Sequence, residues 1–314
     1  MIWLIRFLHH SFWRSLCLAI IAATILGFLS RYSHWLFYAD QPRLHYAIVG
    51  AIACFACFQI RSWIIAAVGC LCVLLNLALA LPTMAVALQP ASNHAAEWSV
   101  LHAHVDQRGQ LDAKLLQHIK EAKPDVILLQ EVTAEFLTNE SELDDLQYER
   151  IVSEPRDHTR GVAAWVRTDL SGRITATVCD LATADRPMVQ LTVGNQLRML
   201  HFHAKRPVNS ETYQTQLAEF AALSAWLRES DLPTVVLGDF NAAPWSEQVR
   251  RMAQQNGCRA FGFPTWPSQA YGAGLPIDFV LASSKTKVVR VNTILANALN
   301  RQAILVTISH ATTE

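Results

Sequence analysis

Three apolar stretches in the first quarter of the chain, residues 16–29, 44–60 and 62–81, constrain its fold more than any other feature. A helix needs roughly 20 apolar residues to cross the hydrocarbon core of a bilayer, with about 17 as the lower limit. The second and third stretches meet that length. The first meets it if its helix begins near Phe12 and Arg14 reaches back to the interface with its charged head. Trp13, Tyr32, Trp35, Tyr38 and Trp63 flank the stretches, as amphipathic aromatics do at headgroup depth. A cleaved leader fits poorly, because no small-residue cleavage site ends the first stretch and two more stretches follow. The sequence therefore predicts a membrane domain of three transmembrane helices over residues 1–90, a polar linker at 91–96 and one soluble domain over 97–314.

Charge divides along the same boundary. Residues 1–90 hold five arginines, no lysine and a single acid, Asp40, so the other 21 bases and 25 acids lie beyond them. A soluble domain with that acidic excess lacks the basic footprint that phosphate-backbone binding uses, which argues against nucleic acid as its partner. Arg6, Arg14 and Arg61 fall on one side of the predicted helices; Arg31 and Arg43, partly offset by Asp40, fall on the other. The positive-inside rule then puts the amino terminus in the cytoplasm. Three crossings carry the soluble domain to the far face: the periplasm, if the host is a bacterium with this protein in its inner membrane. Five of the seven cysteines lie in the apolar runs, where a thiol packs as a small hydrophobe, and the Cys54/Cys57 spacing lacks a redox context. Cys179 and Cys258 could pair only in an oxidising compartment.

Beyond residue 97, short β-rich runs alternate with amphipathic stretches. Strands are expected at 98–105, 125–129, 161–166, 187–193, 197–202, 234–237, 277–281, 287–294 and 304–308. Helices are expected at 111–122 and 212–228, the latter with Leu217, Phe220, Leu223 and Trp226 on one face. Many strands with few helices indicate an α/β sandwich with mixed sheets. Two strands end in oxygen-bearing side chains: one runs into Gln130-Glu131, the other into Gly238-Asp239-Phe240-Asn241. Such groups suit a hard cation like Mg²⁺, which takes one or two carboxylates together with substrate phosphate.

Five segments together resemble the endonuclease/exonuclease/phosphatase family, which has the DNase I-like fold. They are residues 124–131 (Pro-Asp-Val-Ile-Leu-Leu-Gln-Glu), His203 ahead of Lys205-Arg206-Pro207, residues 238–246 (Gly-Asp-Phe-Asn-Ala-Ala-Pro-Trp-Ser), residues 265–267 (Thr-Trp-Pro) and residues 276–278 (Pro-Ile-Asp). The Asn-Ala-Ala-Pro-Trp-Ser stretch at 241–246 and Thr-Trp-Pro at 265–267 particularly resemble a bacterial branch that places transmembrane helices before the hydrolase-like domain. The resemblance implies a four-layer α/β sandwich with mixed sheets and metal-dependent phosphoester hydrolysis. It makes Glu131 the principal metal carboxylate. Asp239 would activate water, Asn241 would hold a phosphate oxygen and His203 would donate to the phosphate. Asp278 would orient a histidine near the carboxyl terminus.

Three positions depart from the family pattern. His104 stands where the first strand normally carries asparagine, and Phe279 follows Ile277-Asp278 where histidine or tyrosine is common. Most consequentially, Asn300-Arg301-Gln302 replaces Ser-Asp-His before the last strand, so Asp278 is expected to lack its histidine. The reading is a membrane-anchored, degenerate member that binds a phosphorylated small molecule, lipid or protein partner with little hydrolysis, and holds Mg²⁺ weakly or not at all. The alternative is an active Mg²⁺-dependent phosphoesterase with a rearranged site.

Overall fold

The structure is a computed structural model that describes residues 2–85, 96–105, 111–139, 141–157, 160–182, 185–295 and 300–310. The predicted linker lies outside these residues except for Ala96, which already opens the first strand.

The amino-terminal segment forms α1 (Ile2–Gly27), α2 (His34–Asp40), α3 (Arg43–Gln59) and α4 (Trp63–Met84). By length and composition α1 and α4 can cross a membrane, whereas α3, with 17 residues, sits at the lower limit. The expected three spans are therefore two full-length candidates and one short apolar helix. Ile5, Phe12, Phe55, Ile64 and Leu74 are each more than half exposed, an apolar surface that water disfavours. α1 begins ten residues before the expected Phe12, and Arg14 donates from Nε to Ser62 Oγ (2.7 Å) at the α3–α4 turn. Close helix approach uses small side chains: a Cβ at Gly69 would lie 2.6 Å from the sulfurs of both Cys17 and Cys54. Cys17, Cys54 and Cys57 thus pack in the core of the apolar helices, whereas Cys70 is exposed, and Cys179 and Cys258 are free thiols.

The soluble domain has two six-stranded sheets. The first contains β1 (Ala96–His104), β2 (Val126–Gln130), β3 (Tyr148–Glu154) and β4 (Val162–Arg167), with β11 (Thr286–Leu295) and β12 (Gln302–His310) returning to it at the end of the chain. The second contains β5 (Ile174–Cys179), β6 (Met188–Val193), β7 (Leu197–His203), β8 (Thr234–Asp239), β9 (Cys258–Phe261) and β10 (Asp278–Ser283). Their spatial orders are β11-β12-β1-β2-β4-β3 and β5-β6-β7-β8-β10-β9. β1 and β2 run parallel, as do β7 and β8; the other pairs are antiparallel.

Side chains alternate across each strand, so every strand feeds two layers. Val100, Val126, Leu128, Met199, Leu237, Val280 and Ile304 meet between the sheets. Leu101, Ile127 and Leu129 instead pack under α5 (Ala113–Ala122), α6 (Ala134–Asn139) and α7 (Glu142–Asp145). Leu200, Phe202 and Leu281 pack under α8 (Ser210–Arg228) and α9 (Glu247–Gln255). The result is the expected four-layer α/β sandwich. Side chains start the helices: Asp112 Oδ1 accepts from Lys114 N (2.9 Å) at α5, and Asn209 with Thr212 forms a capping box at α8.

The two parts are tied by a buried polar chain. Arg43 donates from Nε to Asp40 Oδ1 (2.7 Å) and from Nη1 to Asn76 Oδ1 (3.2 Å). Asn76 Nδ2 in turn donates to Thr24 Oγ1 (2.9 Å). The second oxygen of Asp40 accepts from the backbone N of Glu247 (2.6 Å), the first residue of α9 and a position where a helix favours an anion. Beside it, Gln41 Oε1 accepts from Ala243 N (2.6 Å) and Trp245 Nε1 donates to Gln41 O (2.8 Å).

Candidate active site

The inter-sheet layer is apolar at one end and polar at the other, and the alternation of each strand makes it so. The face that carries Trp98 and Val100 on β1 continues to His102 and His104. On β2, Val126 and Leu128 lead to Gln130; on β7, Leu197 and Met199 lead to His201 and His203. On β8, Val235 and Leu237 lead to Asp239, and on β10 Asp278 precedes Val280. Pairing aligns these ends: His203 faces Asp239, Asp239 faces Asp278, and His104 faces Gln130. Gln130 joins the sheets by donating from Nε2 to Phe202 O (2.7 Å). Gly238 is required there, because a Cβ on it would lie 2.0 Å from the same carbonyl. Two non-glycine residues just beyond the strands, Glu131 (φ 66°) and Asn241 (φ 47°), are in the left-handed region. That region is costly for glutamate and easier for asparagine, and such strain gathers at functional sites.

The cluster is held by charge. His104 donates from Nε2 to Asp278 Oδ1 (2.8 Å) and from Nδ1 to Glu131 Oε1 (3.2 Å). Burial and Arg301 push its pKa down, but the two carboxylates outweigh them and raise it to about 9. His104 is thus an imidazolium clamped between two acids. His102 Nε2 lies 3.2 Å from the same Asp278 oxygen, and its Nδ1 is 3.0 Å from His201 Nε2. Burial holds His102 down, to about 4, and lowers His201 and His203 well below the usual imidazole range. These three are neutral near pH 7. If His102 donates to Asp278, its Nδ1 accepts from His201.

Arg301 donates from Nη1 to Asp239 Oδ2, and the same nitrogen is 3.7 Å from Asp278 Oδ1. Burial pushes Asp239 upward against the pull of this guanidinium. Asp239 also accepts from Asn241 N (2.7 Å) and Asn241 Nδ2 (3.1 Å), a donor set that suits a carboxylate. Burial opposes ionisation of Asp278 as well, but His104, His102 and Arg301 bring it well below the usual carboxylate range.

All the residues singled out from sequence come together here: Glu131, His203, Asp239, Asn241 and Asp278, with His104 and Arg301 among them. Asn241 Nδ2 is spent on Ala204 O (2.9 Å) as well as on Asp239. His203 Nε2 is 3.8 Å from Asp239 Oδ2, and its Nδ1 is buried with no partner among the described residues. One expectation is corrected. Asp278 does not lack a histidine: it has two, His102 and His104, supplied by β1 rather than by the segment before β12. His102 and His201 escaped notice, yet each lies two residues before a histidine that was noticed, on the same strand face. His310 stands at the far end of β12, eight residues from Gln302, or about 27 Å at ~3.4 Å per residue.

Mg²⁺ seeks oxygen ligands, and at least one oxygen of each acid here is already engaged, while Asp278 Oδ2 is buried with no hydrogen-bond partner among the described residues. Glu131 Oε1 accepts from His104, Asp278 Oδ1 faces both imidazoles, and Asp239 Oδ2 accepts from Arg301. The Nε2 atoms of His102 and His104 with the Asp278 carboxylate form a cluster whose ligand atoms lie within 4.8 Å of one another. Imidazole-rich sets of that kind suit Zn²⁺ and its neighbours better than Mg²⁺.

Comparison with known proteins agrees with this geometry. The sequence model of the Endonuclease/Exonuclease/phosphatase family matches residues 98–299. A 3'-5' exonuclease (NExo) from Neisseria meningitidis is similar in fold, with a TM-score of 0.54 and 17% identity over 68% of this chain and 100% of that one. An endonuclease/exonuclease/phosphatase from Bacteroides vulgatus gives 0.52 and 15% over 68% and 99%. D. rerio TDP2 complexed with a single-strand DNA product gives 0.52 and 16% over the same shares. No curated protein sequence matches the chain.

Proposed function

Because the chain belongs to the endonuclease/exonuclease/phosphatase family, we propose that its site binds a phosphate group with the protein's own cations, where the family uses a divalent metal, and that it hydrolyses little or none of what it binds. One observation carries this reading: the Arg301 guanidinium bridges Asp239 and Asp278. Its pKa is held up because those carboxylates and Glu131 outweigh the cost of burial. A divalent ion about 5 Å from a guanidinium would be repelled by roughly 7 kcal/mol at an effective dielectric near 20, as long as Arg301 stays in place. Arginine is itself a preferred phosphate ligand, presenting several N–H donors from one plane. His104 adds a second cation. In this reading α1, α3 and α4 each cross a membrane and anchor the domain there, and three crossings would leave the amino terminus and the phosphate site on opposite faces.

The test is calorimetry on the full chain in dodecyl maltoside. Inorganic phosphate should bind with the same affinity in EDTA as without it, and Arg301→Gln should abolish binding. Mg²⁺ should show no site tighter than about millimolar, as an ion with few free carboxylates gives. A micromolar Mg²⁺ site lost in Glu131→Ala would refute the reading.

The His102–His104–Asp278 cluster favours a second reading, a working phosphoesterase that uses a borderline divalent ion. The second shell suits it, since Glu131 and His201 lie on the remaining ring nitrogens. His104 would have to surrender the proton that it shares with Asp278. Zn²⁺-dependent cleavage of a generic phosphodiester, absent with Mg²⁺ and abolished by His102→Ala, would favour this second reading.

A further inference from the structure

A cavity of about 270 Å³ opens from the phosphate site towards the membrane segment, and its two ends differ in chemistry. Arg301 and Asn241 form the polar end, and Arg206 adds a second guanidinium beside Trp266, 5.8 Å from the ring centre. The other walls are apolar except at Gln41 and come from both parts of the chain. Phe37, Tyr38 and Pro42 belong to α2 and the turn after it, while Trp266, Leu275 and Ile277 belong to the soluble domain. Tyr38 Oη donates to Pro207 O (2.8 Å), and a His45 ring nitrogen lies 2.7 Å from Ala273 O, so the membrane segment forms part of the cavity wall itself.

We infer that this cavity takes one membrane lipid bearing an anionic phosphate, with the phosphate against Arg301 and Arg206 and the start of its acyl region against Phe37, Pro42 and Leu275. The inference rests on the reading of the site as a phosphate binder and adds the class of ligand. Three observations support it. The charge is complementary, because the cavity lining carries two guanidinium groups, Arg206 and Arg301, and no acid among the described residues. The position is right, because α2 joins the end of α1 to the start of α3 and so lies at the membrane face, with Tyr32 and Trp35 exposed beside it. The size is right for part of a lipid. Pockets that enclose a whole small molecule run from about 300 to 1,000 Å³, so a space just under that range admits a headgroup and the first carbons while the tails stay in the bilayer. A water-soluble phosphate would gain nothing from the apolar walls, whereas each CH₂ of a lipid that leaves water against them tightens binding.

The test measures binding of three probes to the full chain in dodecyl maltoside: dioctanoyl phosphatidate, glycerol 3-phosphate and dioctanoylglycerol. Phosphatidate is expected to bind at least tenfold more tightly than glycerol 3-phosphate, and dioctanoylglycerol more weakly than either. Leu275→Trp, which fills the apolar end, should lower phosphatidate affinity at least tenfold; Tyr38→Ala, which opens the wall, should do the same without enlarging a side chain. Equal affinities for phosphatidate and glycerol 3-phosphate overturn the lipid assignment and leave the phosphate site standing. Failure of all three probes to bind overturns the phosphate site, and the lipid assignment falls with it. Tight dioctanoylglycerol binding overturns the role given to the guanidinium groups.

Discussion

The Arg301 side chain donates to the carboxylate of Asp239, a group buried completely between the two sheets. The arginine comes from the segment before β12 in one sheet and the aspartate from the end of β8 in the other, so the ion pair also staples the sandwich across its polar end. Removing one partner of such a pair leaves the other charged and unsolvated, which typically costs about 3–5 kcal/mol. Arg301→Gln should therefore lower stability towards the bottom of that range, since the side chain is 20% exposed. Thermal unfolding in detergent measures it. The double change with Asp239→Asn should recover part of the loss, because the orphaned charge is then gone; strict additivity would mean that the two groups do not interact.

His104 gives the site a pH dependence of determined sign. Its folded pKa of about 9 lies above the ordinary 6.5, so the proton it holds stabilises the fold fully below pH 6.5, and that contribution disappears as pH rises through 9. His102 acts at the other limit. Burial depresses it to about 4, so the stability that depends on its neutral form is complete above 6.5 and lost as pH falls through 4. Melting temperature should thus decline between about pH 6.5 and 9, and His104→Asn should flatten that decline. An unchanged alkaline slope in the variant would show that the loss comes from another group.

Much of this site can be read from the sequence, and the unread part has a physical cause. Glu131, Asp239 and Asn241 follow apolar strands directly, so their positions are announced by what precedes them. His102 and His201 are not at strand ends, and only the two-residue period shared with His104 and His203 reveals that they face the same layer. Which acid a histidine meets is set by sheet order, which no local pattern encodes; hence Asp278 finds its imidazoles on β1. The strands not anticipated, β3, β5 and β9, all lie at sheet edges. Edge strands are solvated along one side and tolerate charges such as Glu149 and Arg150, which blur the alternation that exposes inner strands.

Asp40 is the pivot between the apolar amino-terminal helices and the sandwich domain. Replacing it by alanine removes the acceptor of Arg43, Ser30 and Glu247 N together and strands a buried guanidinium. The expected cost is again about 3–5 kcal/mol, with a specific signature. Hydrogen exchange should accelerate at the start of α9 and in residues 241–247 before it does in the inter-sheet core. Uniform acceleration throughout the soluble domain would contradict a local hinge at this contact.

The arginine distribution and the odd number of apolar helices predict opposite placement of the two termini. A reporter that functions only after export, fused behind Glu314, should be active, and a reporter confined to the cytoplasm should be silent there. The reverse pattern would invert the orientation while leaving the site's geometry as described.

The last prediction concerns recovery of metal-dependent hydrolysis. Two resident cations stand in the way, Arg301 on Asp239 and His104 between Glu131 and Asp278. Arg301→Asp alone removes one and adds a carboxylate, but the His104 cation still occupies one oxygen each of Glu131 and Asp278. His104→Asn alone frees those oxygens and leaves the guanidinium in place. Gln302→His supplies an imidazole that can serve proton transfer only once a metal and an attacking water are organised, and such assistance contributes about 10²–10⁴ in rate. Groups that act as a unit are strongly non-additive. The four changes Asn300→Ser, Arg301→Asp, Gln302→His and His104→Asn together should produce Mg²⁺-dependent cleavage of a generic phosphodiester, while the original protein and each single variant stay at background. Robust Mg²⁺-dependent turnover by the original protein, abolished by Asp239→Ala, would mean that the resident cations do not block the site.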